Sequence, residues 1–208
     1  MKIKNVNIYC NPQTQCPAWV FINKLSPLGQ IQFFHKVAIV RLGTYSESIH
    51  IEGSVHAIRF HDDKKEMAFY FAITPSNVTL LIAGTVVNHD TDSKKALLYW
   101  KSYKRSDYNA DYLSYTEELY SKLESKTFAM DYLRATIVDP AKKVFLVALK
   151  DVLQSHSIDN SDITDKTKLN TDNLNRLMSK KNAHKILTLP DMLNALELYL
   201  AVHSVKRD

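Results

Sequence analysis

Six basic side chains crowd into residues 166–185 (Lys166, Lys168, Arg176, Lys180, Lys181 and Lys185), against a single acid, Asp172. Cations at that density neutralise phosphates, and phosphate contacts position a protein on nucleic acid without reading its sequence. Thr171, Asn173, Asn175 and Arg176 lie in the middle of the run. Their side chains suit base edges, asparagine for adenine and arginine for guanine. Asp172 fits such a surface only by accepting from a cytosine amino group. The alternative that charge alone permits is a solvated basic face on a small helical domain.

The other reactive side chains are Cys10 and Cys16, in the stretch CNPQTQC. A metal site needs two more soft ligands at comparable spacing, and the sequence supplies none. A disulfide suits an oxidising compartment. With no leader pattern and no apolar run long enough to cross a bilayer, the expected compartment is the cytoplasm and the expected state two free thiols. No cofactor is implied, and no membrane partner.

The chain has 208 residues, 45% hydrophobic and 24% charged, which is enough apolar surface to fold. Its net charge of +5 is uneven. Residues 1–105 carry 13 Lys and Arg against 7 Asp and Glu, and residues 106–208 carry 14 against 15. The basic half can face phosphates, although lysines also serve solubility alone.

Those residues need elements to hold them. All four glycines fall within the first 84 residues, which predicts a mixed first half and an all-helical second half. Asn5–Tyr9 reads as a short strand. Ala18–Leu25 and Gln30–Leu42 have helical spacing, with Ser26-Pro27-Leu28-Gly29 as a tight connection. Ser48–Glu52, Val55–Phe60, Glu66–Ile73 and Val78–Ala83 are β-branched and aromatic, and read as strands. A helix over Asp92–Lys104 closes the unit. The expected domain is α+β, an antiparallel sheet with helices packed on one face. Residues 106–138, with five tyrosines and neither Gly nor Pro, read as one or two connecting helices. Beyond Pro140 come a helix over Ala141–Gln154, a short one over Ser161–Thr167, a third over Thr171–Ser179 capped by Asn170, and a fourth capped by Thr188. Two short helices with a tight connection and an exposed polar, basic second helix form a helix-turn-helix arrangement.

The element order of residues 18–104 resembles the phage-derived, HigB-like branch of the RelE/ParE toxin superfamily. The resemblance rests on Val55-His56-Ala57-Ile58-Arg59-Phe60, on Ala68-Phe69-Tyr70-Phe71, and on Leu80-Leu81-Ile82-Ala83-Gly84 followed by Asp92-Ser93-Lys94-Lys95-Ala96 and Tyr99-Trp100-Lys101. The later part is similar to the HigA-like antitoxins encoded beside such toxins. Asp131–Ala135 and Phe145–Val152 resemble their opening helices, Leu169–Leu177 the turn and recognition helix, and Leu187–Leu196 the closing helix. The resemblance implies a fusion: a toxin fold over residues 1–105, a helical connector over 106–127 and a helix-turn-helix domain over 128–208. Lys168 stands where the turn usually has glycine, and a lysine in a left-handed conformation costs ~1–2 kcal/mol.

Toxins of this superfamily cleave messenger RNA, usually on the ribosome. The resemblance therefore implies cations around a scissile phosphate and groups that move protons. The family pattern places an arginine and a lysine at the positions held here by Ala68 and Val86, which can do neither. Arg59 and His89 remain as candidate catalytic residues, with His61, Lys64 and Lys65 near them in sequence. Arg59 can contact phosphate or pair with Glu66. His89 can act as general acid or base, but the expectation is a solvated loop histidine. The implied function is a fusion protein whose RNA-cleaving fold is weakened or inactive and whose helix-turn-helix domain binds operator DNA, as a homodimer reading two half-sites. The implied DNA-binding residues are Lys168, Thr171, Asn173, Asn175, Arg176, Lys180 and Lys181. The alternative is a ribosome-dependent endoribonuclease held inactive in cis by its own antitoxin domain.

Overall fold

The computed structural model describes residues 3–13, 15–105, 114–141 and 143–155. The elements run β1 (Asn5–Ile8), α1 (Pro17–Ile22), α2 (Pro27–Arg41), β2 (Ser48–Glu52), β3 (Val55–Asp62), β4 (Lys65–Ile73), β5 (Asn77–Thr85), a short 3-10 turn at Val86–Asn88, α3 (His89–Arg105), α4 (Tyr115–Leu123), α5 (Lys126–Ile137) and α6 (Lys143–Ser155).

The five strands form one sheet in the order β1-β5-β4-β3-β2. Strands β2 to β5 are antiparallel neighbours, as expected. However, β1 lies parallel to β5, with Asn5 opposite Asn77 and Ile8 opposite Leu80. The sheet is therefore mixed, not antiparallel throughout.

The expectation of helices on one face is also corrected. Phe69 and Phe71 of β4 join Ile58 and Phe60 of β3 on the face covered by α1 and α2. Ala68, Tyr70 and Ala72 join Val55 and Ala57 on the opposite face, which α3 covers through Ala96 and Trp100. The physical reason is the composition of the strands. Met67–Ala72 is buried without a break, and a strand that is apolar on both faces must be covered on both. Leu81 is an extra residue in β5, since Phe71 pairs with Leu80 and Tyr70 with Ile82. This bulge turns both Leu81 and Ile82 toward α3.

Helix α2 is the hub. Ser26 caps it by accepting from the Gly29 backbone N–H at 3.1 Å, and Pro27 occupies its first turn, so the segment read as a connection is the helix start. Gly29 is required there because a Cβ would fall 2.3 Å from an oxygen of Asp62. That carboxylate, at the end of β3, accepts from the Ser26 backbone N–H and hydroxyl. Phe33, Phe34, Val37, Ala38, Ile39 and Val40 are all buried, and a helix apolar around its circumference belongs inside a protein. One side of α2 rests on the sheet and the other receives α5 and α6.

The helical segment is therefore continuous with the α/β core. Leu119, Leu123, Tyr132, Leu133, Ala148, Leu149 and Val152 share one cluster with Phe33 and Phe34. Ser114 and Ser125 cap α4 and α5 by accepting from Glu117 N–H and Phe128 N–H. Polar contacts reinforce the packing. Arg41 donates to Asp151 Oδ2 at 2.6 Å, Tyr132 donates to the same oxygen at 3.4 Å, and His35 pairs with Asp139 at 2.9 Å. Burial disfavours the Arg41 charge, but Asp151 more than offsets this and holds the guanidinium above its ordinary range.

The expectation of free thiols is overturned, because Cys10 and Cys16 form a disulfide. The loop between them brings the two close on its own. Asn11 Oδ1 accepts from the backbone N–H groups of Gln13 and Gln15, and the Asn11 N–H donates to the Gln15 carbonyl.

Candidate functional site

The ends of β3, β4 and β5 meet the start of α3 at one end of the sheet, and a group of polar side chains gathers there. Arg59, Ala68 and Gly84 are cross-strand neighbours in β3, β4 and β5. The two small residues let α3 come close. A Cβ at Gly84 would lie 2.2 Å from Asp92 Oδ2, so glycine makes room for a carboxylate in the first turn of the helix. Ala68 is buried in the cluster that α3 covers. Ala68 is thus closed over, and Val86 packs at the border of the same cluster.

Tyr70 and His89 form the centre. Their rings stack with centroids 5.8 Å apart. The Tyr70 oxygen lies 2.8 Å from His89 Nδ1 and 3.3 Å from the His89 carbonyl oxygen. One tautomer has the phenol donating to Nδ1. The other has the phenol donating to the carbonyl and Nδ1–H donating to the phenolic oxygen. His89 is therefore not the solvated loop residue expected; it opens α3 and is held by a buried tyrosine. Burial raises the Tyr70 pKa, which keeps it a neutral phenol. Burial also raises that of Asp92, against the opposing pull of Lys95, whose ammonium lies 3.9 Å away, and of His89. A carboxyl with raised affinity for its proton, a histidine and a phenol thus stand side by side, three groups of the kind that move protons.

Arg59 is exposed and pairs with Glu66 at 3.3 Å, the pairing allowed for in the sequence. The two expected catalytic residues thus reach the same end of the sheet, but Arg59 is engaged by an acid. Sequence reasoning missed Tyr70 and Asp92 as site residues. The available signal was Tyr70 itself, a hydroxyl between Ala68 and Ala72 on one face of an apolar strand. Among the described residues, no three His, Cys, Asp or Glu side chains gather to hold a metal ion.

A second polar patch lies where β2 meets β3. His50 and His56 are directly opposite, with rings 5.1 Å apart. Burial, and secondarily the His50 charge, lower the His56 pKa. His56 Nδ1 lies 3.3 Å from the Ser48 hydroxyl, and its ring stacks on Phe71. These contacts read as structural.

The expected DNA-binding residues Lys168, Thr171, Asn173, Asn175, Arg176, Lys180 and Lys181 lie outside the described residues. No helix among the described residues is long and apolar enough to cross a membrane. A scan of protein-family models, a search of curated proteins and a search of solved structures each find no match to this chain.

Proposed function

We propose that this chain is a self-contained toxin–antitoxin fusion that works by recognition, binding DNA through residues 168–181, with an RNA-cleaving fold that is weakened or inactive. The observation that supports loss of cleavage is the burial of Ala68 beneath α3. A cation there would have to displace the α3 side chains packed in the same cluster, and Arg59 has the Glu66 carboxylate 3.3 Å away. A site that must stabilise a phosphorane-like charge loses ~10²–10³ in rate for each missing donor. The protein is read as a homodimer, because helix-turn-helix proteins engage paired half-sites. Retention of the helical segment against α2, through Arg41, Asp151 and Tyr132, fits a toxin fold partnered in cis.

The Tyr70–His89 contact favours one second reading, a ribosome-dependent endoribonuclease held inactive by its own helical part. An electrophoretic assay of the full-length protein on the DNA upstream of its own gene tests the first reading. Binding should weaken steeply with salt, and Arg176→Ala should change sequence preference. Absence of binding at low salt would overturn it.

A further inference from the structure

We propose that His50 and His56 form a binding site for a divalent transition ion of the zinc type, which joins the edge strand β2 to β3. This goes beyond the fusion reading, which gives these two side chains no role. The two residues are directly opposite in the β2–β3 pair, so their side chains share one face of the sheet. Their structural contacts also fix which nitrogen of each ring carries the proton. The Ser48 hydroxyl donates to the Tyr45 carbonyl at 2.8 Å, so toward His56 it can only accept. His56 Nδ1, 3.3 Å from that hydroxyl, is therefore the donor, and the lone pair sits on Nε2. The Gly53 carbonyl likewise only accepts, so His50 Nε2, 3.0 Å away, holds the proton and the lone pair sits on Nδ1.

Each imidazole thus has one nitrogen anchored by an oxygen and an unprotonated nitrogen left over, which is how metal-ligating histidines are oriented. The spacing fits as well. The ring centroids lie 5.1 Å apart, with the planes at 66°. Two imidazoles sharing one tetrahedral ion, at metal–nitrogen distances of about 2.0–2.1 Å, have centroids about 5.2 Å apart. A T-shaped ring contact by itself would not require both tautomers to be pinned. His56 is steadied by its stacking on Phe71, and His50 is exposed, so an ion can enter from solvent. Among the described residues no group of three His, Cys, Asp or Glu side chains forms a metal cluster. Water therefore completes the shell, and the ion is exchangeable rather than permanently enclosed. Imidazole suits zinc, copper and nickel, whereas magnesium and calcium want oxygen donors.

The test is calorimetric titration of the full-length protein with zinc chloride, paired with side-chain 1H–15N spectra of its histidines. Both cysteines are held in the disulfide, so no thiolate competes for the metal. Zinc should raise the melting temperature, because it binds the folded pair. H50Q and H56Q should each weaken zinc binding by more than about tenfold and remove that rise, and S48A, which releases the His56 tautomer, should weaken it by about tenfold. His50 is exposed, so H50Q should keep the wild-type circular dichroism. The resonances that move on adding zinc should be those of His50 Nδ1 and His56 Nε2. Magnesium chloride should give no binding heat. Undiminished zinc affinity in a folded H50Q would overturn the proposal. So would shifts confined to the other histidines. Loss of operator binding with the zinc result intact would instead remove the DNA reading and leave the metal site standing.

Discussion

Asp151→Ala should destabilise the whole described unit, because Asp151 is the acceptor that fastens α6 to α2. Its carboxylate is buried, receives Arg41 at 2.6 Å and Tyr132 at 3.4 Å, and faces an arginine whose side chain is itself only 15% exposed. Removing it leaves a buried guanidinium without its anion, at a cost of about 3–5 kcal/mol. For a chain of this size that corresponds to a melting temperature lower by roughly 6–20 °C. Replacing both partners with apolar residues, as in R41M/D151L, should recover most of the loss, because no charge is then stranded. Urea denaturation followed by circular dichroism and by tryptophan fluorescence gives the comparison, since Trp19 and Trp100 both lie in the α/β half. A single coincident transition, shifted in Asp151→Ala and restored in the double variant, is the expected result. A loss below ~1 kcal/mol, or an early transition seen only by circular dichroism, would refute the reasoning. The helical segment would then be a loosely docked appendage.

Four further outcomes follow from single sites. The His35 pKa is lowered by burial, against the raising effect of Asp139. The unfolded chain therefore takes up protons first, and the His35 contribution is complete above pH ~6.5 and is lost as pH falls through the lowered folded value; melting temperatures between pH 7.5 and 5.5 should drop less in His35→Gln than in wild type. Gly84→Ala should cost about 1–3 kcal/mol through its collision with Asp92, and G84A/D92A should regain part of that in a thermal melt. Tyr70→Phe should cost about 1 kcal/mol by removing the hydroxyl that meets His89, as measured by urea midpoint. The disulfide closes a loop with a sequence separation of 6, so C10S/C16S should lose about 2 kcal/mol, and intact-mass measurement should find the untreated wild type lighter by two hydrogens than the reduced protein.

The fold was legible wherever local pattern carried it. Strand positions from Ser48 to Ala83 and the helix over Ala141–Gln154 matched closely, because β-branched runs and 3.6-residue spacing are local signals. The helix starts were less so. Pro27 and Gly29 look like a loop in sequence, yet proline suits a first turn, and the glycine is explained only by Asp62, which is distant in sequence. The parallel pairing of β1 with β5 has no local signature at all. The second covered face did have one, in the unbroken apolar run Met67–Ala72. Of the site, Arg59 and His89 were readable as chemistry. Tyr70 and Asp92 were not, since their burial and their nearness to His89 arise only when β4, β5 and α3 come together. The cysteines were misread because the expectation followed from the compartment alone, whereas Asn11 hydrogen-bonds across the loop that brings them together.

The central claim, recognition in place of cleavage, is tested most directly by adding the full-length protein to a reconstituted translation reaction and mapping the 5′ ends of the messenger RNA by primer extension. The account predicts full-length message and undiminished protein synthesis. Ribosome-dependent cleavage that disappears in His89→Ala would contradict it.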